Sequence, residues 1–131
     1  MKNHPNQQNI EKQIRFYRLL IHWLEIKQEG RSLVEYFEKN GYKRIAIYGM
    51  KELGERLFDE VADSSVEVIY CIDKNPEELY CEVPLFKPKE ELEKVDIIVV
   101  TAVAAYEEIL KSFHPNFDCP ITNLEDIVFG V

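Results

Sequence analysis

The run KRIAIYGMKELGERL, Lys43 to Leu57, holds the residue types with the clearest chemistry in the chain. An apolar stretch ends in Gly49, and Gly54 follows in a G-x-K-x-x-G pattern. Gly49 permits a tight turn after a strand, and Gly54 permits a helix to approach that strand closely. Both roles are structural and hold with or without a ligand. In the dinucleotide-binding turn G-x-G-x-x-G, the middle glycine lets the backbone approach a pyrophosphate. Lys51 stands at that place here. Its Cβ pushes a pyrophosphate away from the helix N-terminus, while its ammonium can pair with a phosphate held farther out. Glu52 and Glu55 suit the helix dipole but repel a nearby phosphate, so the sequence leaves the net sign open. A P-loop is excluded, because Glu55-Arg56 replaces the Lys-Ser/Thr that nucleoside triphosphate hydrolysis requires.

Asp73 ends the next apolar run, nineteen residues past Gly54. An acid at that place accepts hydrogen bonds from the ribose hydroxyls of NAD, and it equally suits a nucleotide sugar or S-adenosylmethionine. It also reads as a turn-forming aspartate before Asn75-Pro76. Tyr70 and Lys74 have Y-x-x-x-K spacing, but they run from a strand into a turn rather than along one helical face. No Ser/His/Asp set, carboxylate pair or Cys/His cluster with zinc-ligand spacing assembles, so no catalytic residue and no metal ligand is assigned. Cys71, Cys81 and Cys119 are widely spaced, and Cys71 reads as a buried thiol in a reducing compartment.

These residues need a scaffold. The 131 residues suffice for one domain that folds without disulfides or metal. The pattern divides it into an N-terminal helical extension, 1–41, and an α/β part, 42–131. Residues Met1 to Gln8 read as frayed. Ile10, Ile14, Tyr17, Ile21 and Leu24 then place one apolar stripe down a helix, and Phe16, Leu19, Leu20 and Trp23 widen it. Such a helix packs on its own sheet, on a partner chain, or on both. Ser32 and Glu35 form a capping-box pattern for a second helix, Leu33 to Lys39. Strands follow at Arg44–Tyr48, Val66–Ile72, Val83–Phe86, Asp96–Thr101 and Pro120–Asn123. Helices are expected at Glu52–Ala62, from Pro88 to Glu93, at Ala104–Phe113 and at Leu124–Val128. Apolar strands alternating with helices imply a doubly wound parallel sheet of five strands in the order 3-2-1-4-5.

In such a sheet, ligands bind beyond the carboxyl ends of the strands where the order reverses, here between the first and fourth strands, with Gly49 to Gly54, Asp73 to Asn75 and Thr101 to Ala104 expected to line the crevice. Gly49 and the amides of Met50, Lys51, Glu52 and Leu53 are therefore expected to meet phosphate. Asp73 is expected to meet ribose, and Thr101 and Ala102 to line the far wall. The net charge of −8 argues against nucleic acid or an anionic membrane as partner. The longest uncharged run, Ile97 to Tyr106, is too short to span a bilayer, no signal peptide is visible, and a cytoplasmic location is expected.

The runs SLVEYFEKNGYKRIAIYGMKELGERL, VIYCIDKNP, VPLF and VDIIVVTA resemble a known pattern. It is that of the small Rossmann-like domains associated with bacterial surface-polysaccharide and nucleotide-sugar enzymes, I-x-G-x-G, I-D-x-N/D, I-P-V and D-x-I-I-V-T. The resemblance covers roughly Ser32 to Asp126, and Lys51 departs from it. It implies a Rossmann-like fold and a nucleotide-containing ligand, NAD(P) or a nucleotide sugar, at Gly49 and Asp73. It further implies an accessory module whose chemistry, if any, needs a second chain. The alternative is a ligand-free scaffold that forms a homodimer, or meets a partner enzyme, through the N-terminal helix.

Overall fold

Short apolar runs bounded by turn residues become strands, and the amphipathic segments between them become the layers that cover those strands. The computed structural model describes residues 5–88, 90–112 and 118–131. Five parallel strands, β1 (Arg44–Tyr48), β2 (Glu67–Ile72), β3 (Leu85–Phe86), β4 (Ile97–Val100) and β5 (Ile121–Asn123), form one sheet in the order β3-β2-β1-β4-β5. This is the doubly wound order expected from the sequence. The helices are α1 (Pro5–Gln28), α2 (Val34–Lys39), α3 (Glu52–Val61), α4 (Tyr106–Ser112) and α5 (Leu124–Gly130). None of the described helices is long and apolar enough to cross a membrane.

Alternating side chains divide the core between the two sheet faces. Ile45, Ile47, Ile97 and Val99 meet side chains of α1, α2, α3 and α5 on one face. Ala46, Tyr48, Ile98 and Val100 meet Ile109 of α4 and Val95 on the other. One irregularity matters for function. The β1–β2 register shifts between Ile45, paired with Val68, and Ala46, paired with Tyr70. The extra residue, Ile69, inverts the parity of everything after it. Val68 and Cys71 thus share the α3 face, whereas Tyr70 and Ile72 turn to the other.

The N-terminal segment, expected as an extension, shares the main core. Leu19, Trp23 and Ile26 of α1 and Phe37 of α2 are buried with Ile45 and Leu57. Helix α1 starts at Pro5, within the stretch expected to fray; proline suits a first helical position because its missing N–H has no partner there anyway. The side that packs inward is Phe16, Leu19, Trp23 and Ile26. The stripe picked out first, Ile10 to Leu24, lies outside, with exposures from 41% at Ile21 to 66% at Tyr17. Periodicity groups residues by side but does not say which side meets the sheet.

Glu60 of α3 fastens this segment. It accepts hydrogen bonds from Trp23 Nε1 at 2.9 Å, Leu33 N at 2.6 Å and Ser32 Oγ at 3.1 Å. The capping box closes on one side as expected, since Ser32 N donates to Glu35 Oε2 at 3.3 Å; the Ser32 hydroxyl accepts instead from Val34 N at 3.1 Å. The helix expected from Pro88 is absent among the described residues, and 90–96 carry no helix or strand. Glu90, Glu91 and Glu93 crowd one charge into a single turn, and Leu92 and Val95 are the apolar groups this segment gives the core. One turn's worth of capping geometry survives, with Glu90 N donating to Lys87 O at 3.2 Å.

Candidate functional site

Three buried polar residues, Asp73, Thr101 and Asn123, cluster at the strand ends. They follow or end β2, β4 and β5, and each serves the backbone of a neighbouring loop. Asp73 is 6% exposed and accepts from Met50 N at 3.0 Å and from Asn75 N at 3.1 Å. The bulge in β2 makes the first contact available, because it brings Asp73 round to the face where α3 begins. The Thr101 hydroxyl donates to Gly49 O at 2.5 Å. Asn123 caps α5, accepting from Glu125 N at 3.0 Å, and its Nδ2 donates to Val103 O at 3.3 Å. Buried polar groups must be paired, and here the pairing fixes the three loops that meet at the switch point.

The two glycines act as their positions imply. Gly49 has φ +99°, and a Cβ there would lie 2.6 Å from Thr101 Oγ1. A Cβ on Gly54 would lie 2.0 Å from Gly49 O. Helix α3 can therefore start directly against the turn. Lys51 occupies its N-cap position in an extended conformation and supplies no side-chain cap. A lysine has no acceptor, so the first-turn amides of α3 receive none from that side chain.

These loops enclose a crevice of about 480 Å³ at the carboxyl ends of β1 and β4. That lies within the range of roughly 300–1,000 Å³ typical of small-molecule sites. Of the residues expected from the sequence, Gly49, Lys51, Glu52, Leu53, Asp73, Thr101 and Ala102 all line it. Met50 is placed differently. Its side chain is 3% exposed and packs in the core, and its amide donates to Asp73. Lys74 and Asn75, from the expected Asp73 to Asn75 segment, line it too, whereas sequence reading did not find Phe16, Tyr48, Ala105 and Ile109, which complete the lining. Phe16 arrives from α1, and no local signal could place it there. Gly54, Val103 and Ala104, which belong to the segments expected at the crevice, are not part of its lining.

Charge in the crevice is mixed. Lys51 and Lys74 are exposed cations, Glu52 is an exposed anion, and Asp73 is a buried one. Burial, and then the nearby Asp73 carboxylate, push the Tyr48 phenol above its ordinary pKa. Tyr70 does not join Lys74 in a Y-x-x-x-K pair. It packs on the other sheet face, donates to Glu93 O at 3.0 Å, and is pushed up to about 12, by burial first. Tyr106 likewise donates to Ile121 O at 2.9 Å. Cys71 is buried, with Cys81 Sγ 3.5 Å away, and burial pushes its thiol far up, in line with an inert core position.

Fold and site together define a doubly wound α/β domain with a preformed crevice at its switch point. No protein-family model matches the chain, and no curated protein matches it at a significant level.

Proposed function

We propose that the chain is a non-catalytic or accessory module that binds a nucleotide-containing ligand, NAD or a nucleotide sugar, in this crevice. The observation that carries the reading is the grouping of Lys51, Lys74 and the first turn of α3 around one crevice whose floor holds Asp73. Phosphate meets the amides of Lys51, Glu52 and Leu53 and the two ammonium groups. Ribose hydroxyls meet Asp73, whose oxygens each accept one backbone N–H and keep a second lone pair. Phe16, Ala102, Ala105 and Ile109 supply apolar wall for a base or a sugar. The Rossmann-like resemblance supports a role for such a module in bacterial nucleotide-sugar or surface-polysaccharide metabolism. Three free cysteines favour the cytoplasm, a reducing compartment.

The test is calorimetric titration with NAD, NADP and UDP-glucose, for the native chain and for Lys51→Met and Lys51→Gly. Saturable binding of one of them is expected, weakened about tenfold or more in Lys51→Met by loss of a charge-assisted contact. Lys51→Gly separates charge from bulk: it weakens binding if the ammonium holds phosphate and strengthens a dinucleotide if the side chain merely obstructs. No heat with any of the three nucleotides would remove the reading.

A further inference from the structure

Helix α1 carries two apolar stripes. Phe16, Leu19, Trp23 and Ile26 face the core, and Ile10, Ile14, Tyr17, Ile21 and Leu24 face out. The outer stripe steps by four, three, four and three residues, the seam spacing of a two-helix coiled coil. Leu20 and Phe129, 41% and 50% exposed, extend it; Phe129 comes from α5, lies against His22 and shares a surface groove with Ile14. Seven large apolar residues, each about half exposed, present roughly 700 Å² per copy at about 200 Å² for a full side chain. That exceeds the ~300–600 Å² patch usual on a monomer and approaches the ~800 Å² per partner of a stable interface.

We infer that this face binds a second copy of the same chain, with the two α1 helices antiparallel. The apolar residues alone allow more than one register, and the flanking charges choose between them. In an antiparallel pair, the residues following the seam positions Ile10, Tyr17 and Leu24 face one another; these are Glu11, Arg18 and Glu25. One register sets Ile10 against Ile21 and Ile14 against Tyr17 of the second copy, and brings Glu11 to Arg18 on both sides. The next sets Ile14 against Leu24 and Tyr17 against Ile21, but opposes Glu11 to Glu25 and Arg18 to Arg18. A parallel pair offers no opposite-charge contact, because Gln13 and Leu20 then flank Arg18 and Glu25. Glu11 and Arg18 are both exposed, and neither makes an ion pair among the described residues. The first register is therefore the one in which charge and apolar contacts agree. This inference does not rest on the crevice reading.

Sedimentation velocity over a wide dilution series tests it. The native chain is expected to be a dimer that dissociates on dilution. Ile21→Asp is expected to raise the dissociation constant about 100-fold, with an unchanged far-ultraviolet circular dichroism spectrum because the residue is exposed. Arg18→Glu is expected to raise it about tenfold, and Glu11→Arg/Arg18→Glu to restore it, because each acid again faces a base. A monomer at every concentration, a larger assembly, or a dimer indifferent to Ile21→Asp would overturn the inference. A dimer broken by Arg18→Glu and not restored by the double exchange would overturn the antiparallel register.

Discussion

Asp73 holds the glycine turn, so its replacement tests the architecture before any ligand is added. The carboxylate is 6% exposed and accepts from Met50 N at 3.0 Å and Asn75 N at 3.1 Å. In Asp73→Asn one oxygen becomes an NH₂ group, which cannot accept. The Asn75 amide sits in a more open turn and can shift to water, so the remaining oxygen is expected to stay with Met50. One bond is then lost at about 1 kcal/mol, and the other falls from a charged to a neutral acceptor for about 1 kcal/mol more. The sum is about 2 kcal/mol. Asp73→Ala strands the buried Met50 amide as well, and about 4 kcal/mol is expected. Against a total stability of roughly 5–15 kcal/mol, both variants fold, the second marginally. Urea unfolding without ligand reads the effect as a lower midpoint at constant slope. A change below about 0.5 kcal/mol in Asp73→Asn, with the slope unchanged, would refute the anchoring role. A loss of nucleotide affinity in Asp73→Ala then counts for ribose only where it exceeds the loss that Asp73→Asn shows.

Two further outcomes follow from other fastenings. Glu60→Ala removes the acceptor shared by Trp23, Ser32 and Leu33; about 3 kcal/mol of stability should go, with a red shift in the emission of Trp23, the single tryptophan. Backbone hydrogen bonds from Arg44 and Lys43 hold Asp96 below its ordinary pKa of 3.8. A depressed folded-state pKa stabilises above the unfolded value, and that stability is lost as pH falls through the folded value. The native chain should therefore lose stability to acid more steeply than Asp96→Asn, and urea midpoints for the two should converge below about pH 4.

How much of this was legible depends on the range of the signal. The sheet was, because runs such as IAIY and IIVV with a glycine or threonine at their ends are buried on both faces and admit few topologies. The crevice was legible to the extent that its residues flank those strand ends. The segment from Pro88 was not, because a local start signal cannot report that three glutamates crowd the turn that follows it. The bulge at Ile69 leaves no mark in an apolar run whose residues are acceptable on either face. Yet that one residue decides which face Asp73 joins. Phe16 in the crevice wall and the outward side of α1 depend on where the helix docks, which is set by Trp23, Leu19 and Glu60 together.

The replacement of the middle glycine by Lys51 gains its meaning from this framework. In a turn whose shape awaited its ligand, a lysine there would both obstruct and disorder. Here the turn is set beforehand by the φ of Gly49, the Thr101 hydroxyl on Gly49 O and the Asp73 carboxylate on Met50 N. Lys51 is left as the exposed N-cap residue of α3, with its backbone extended and its side chain at the crevice. A preordered loop lowers the entropy cost of binding, and an ammonium beside first-turn amides adds attraction at the same end of the helix. Glu52 opposes it from the next position, and under the proposed reading Lys51 and Lys74 together offset that repulsion for a phosphate at the first-turn amides.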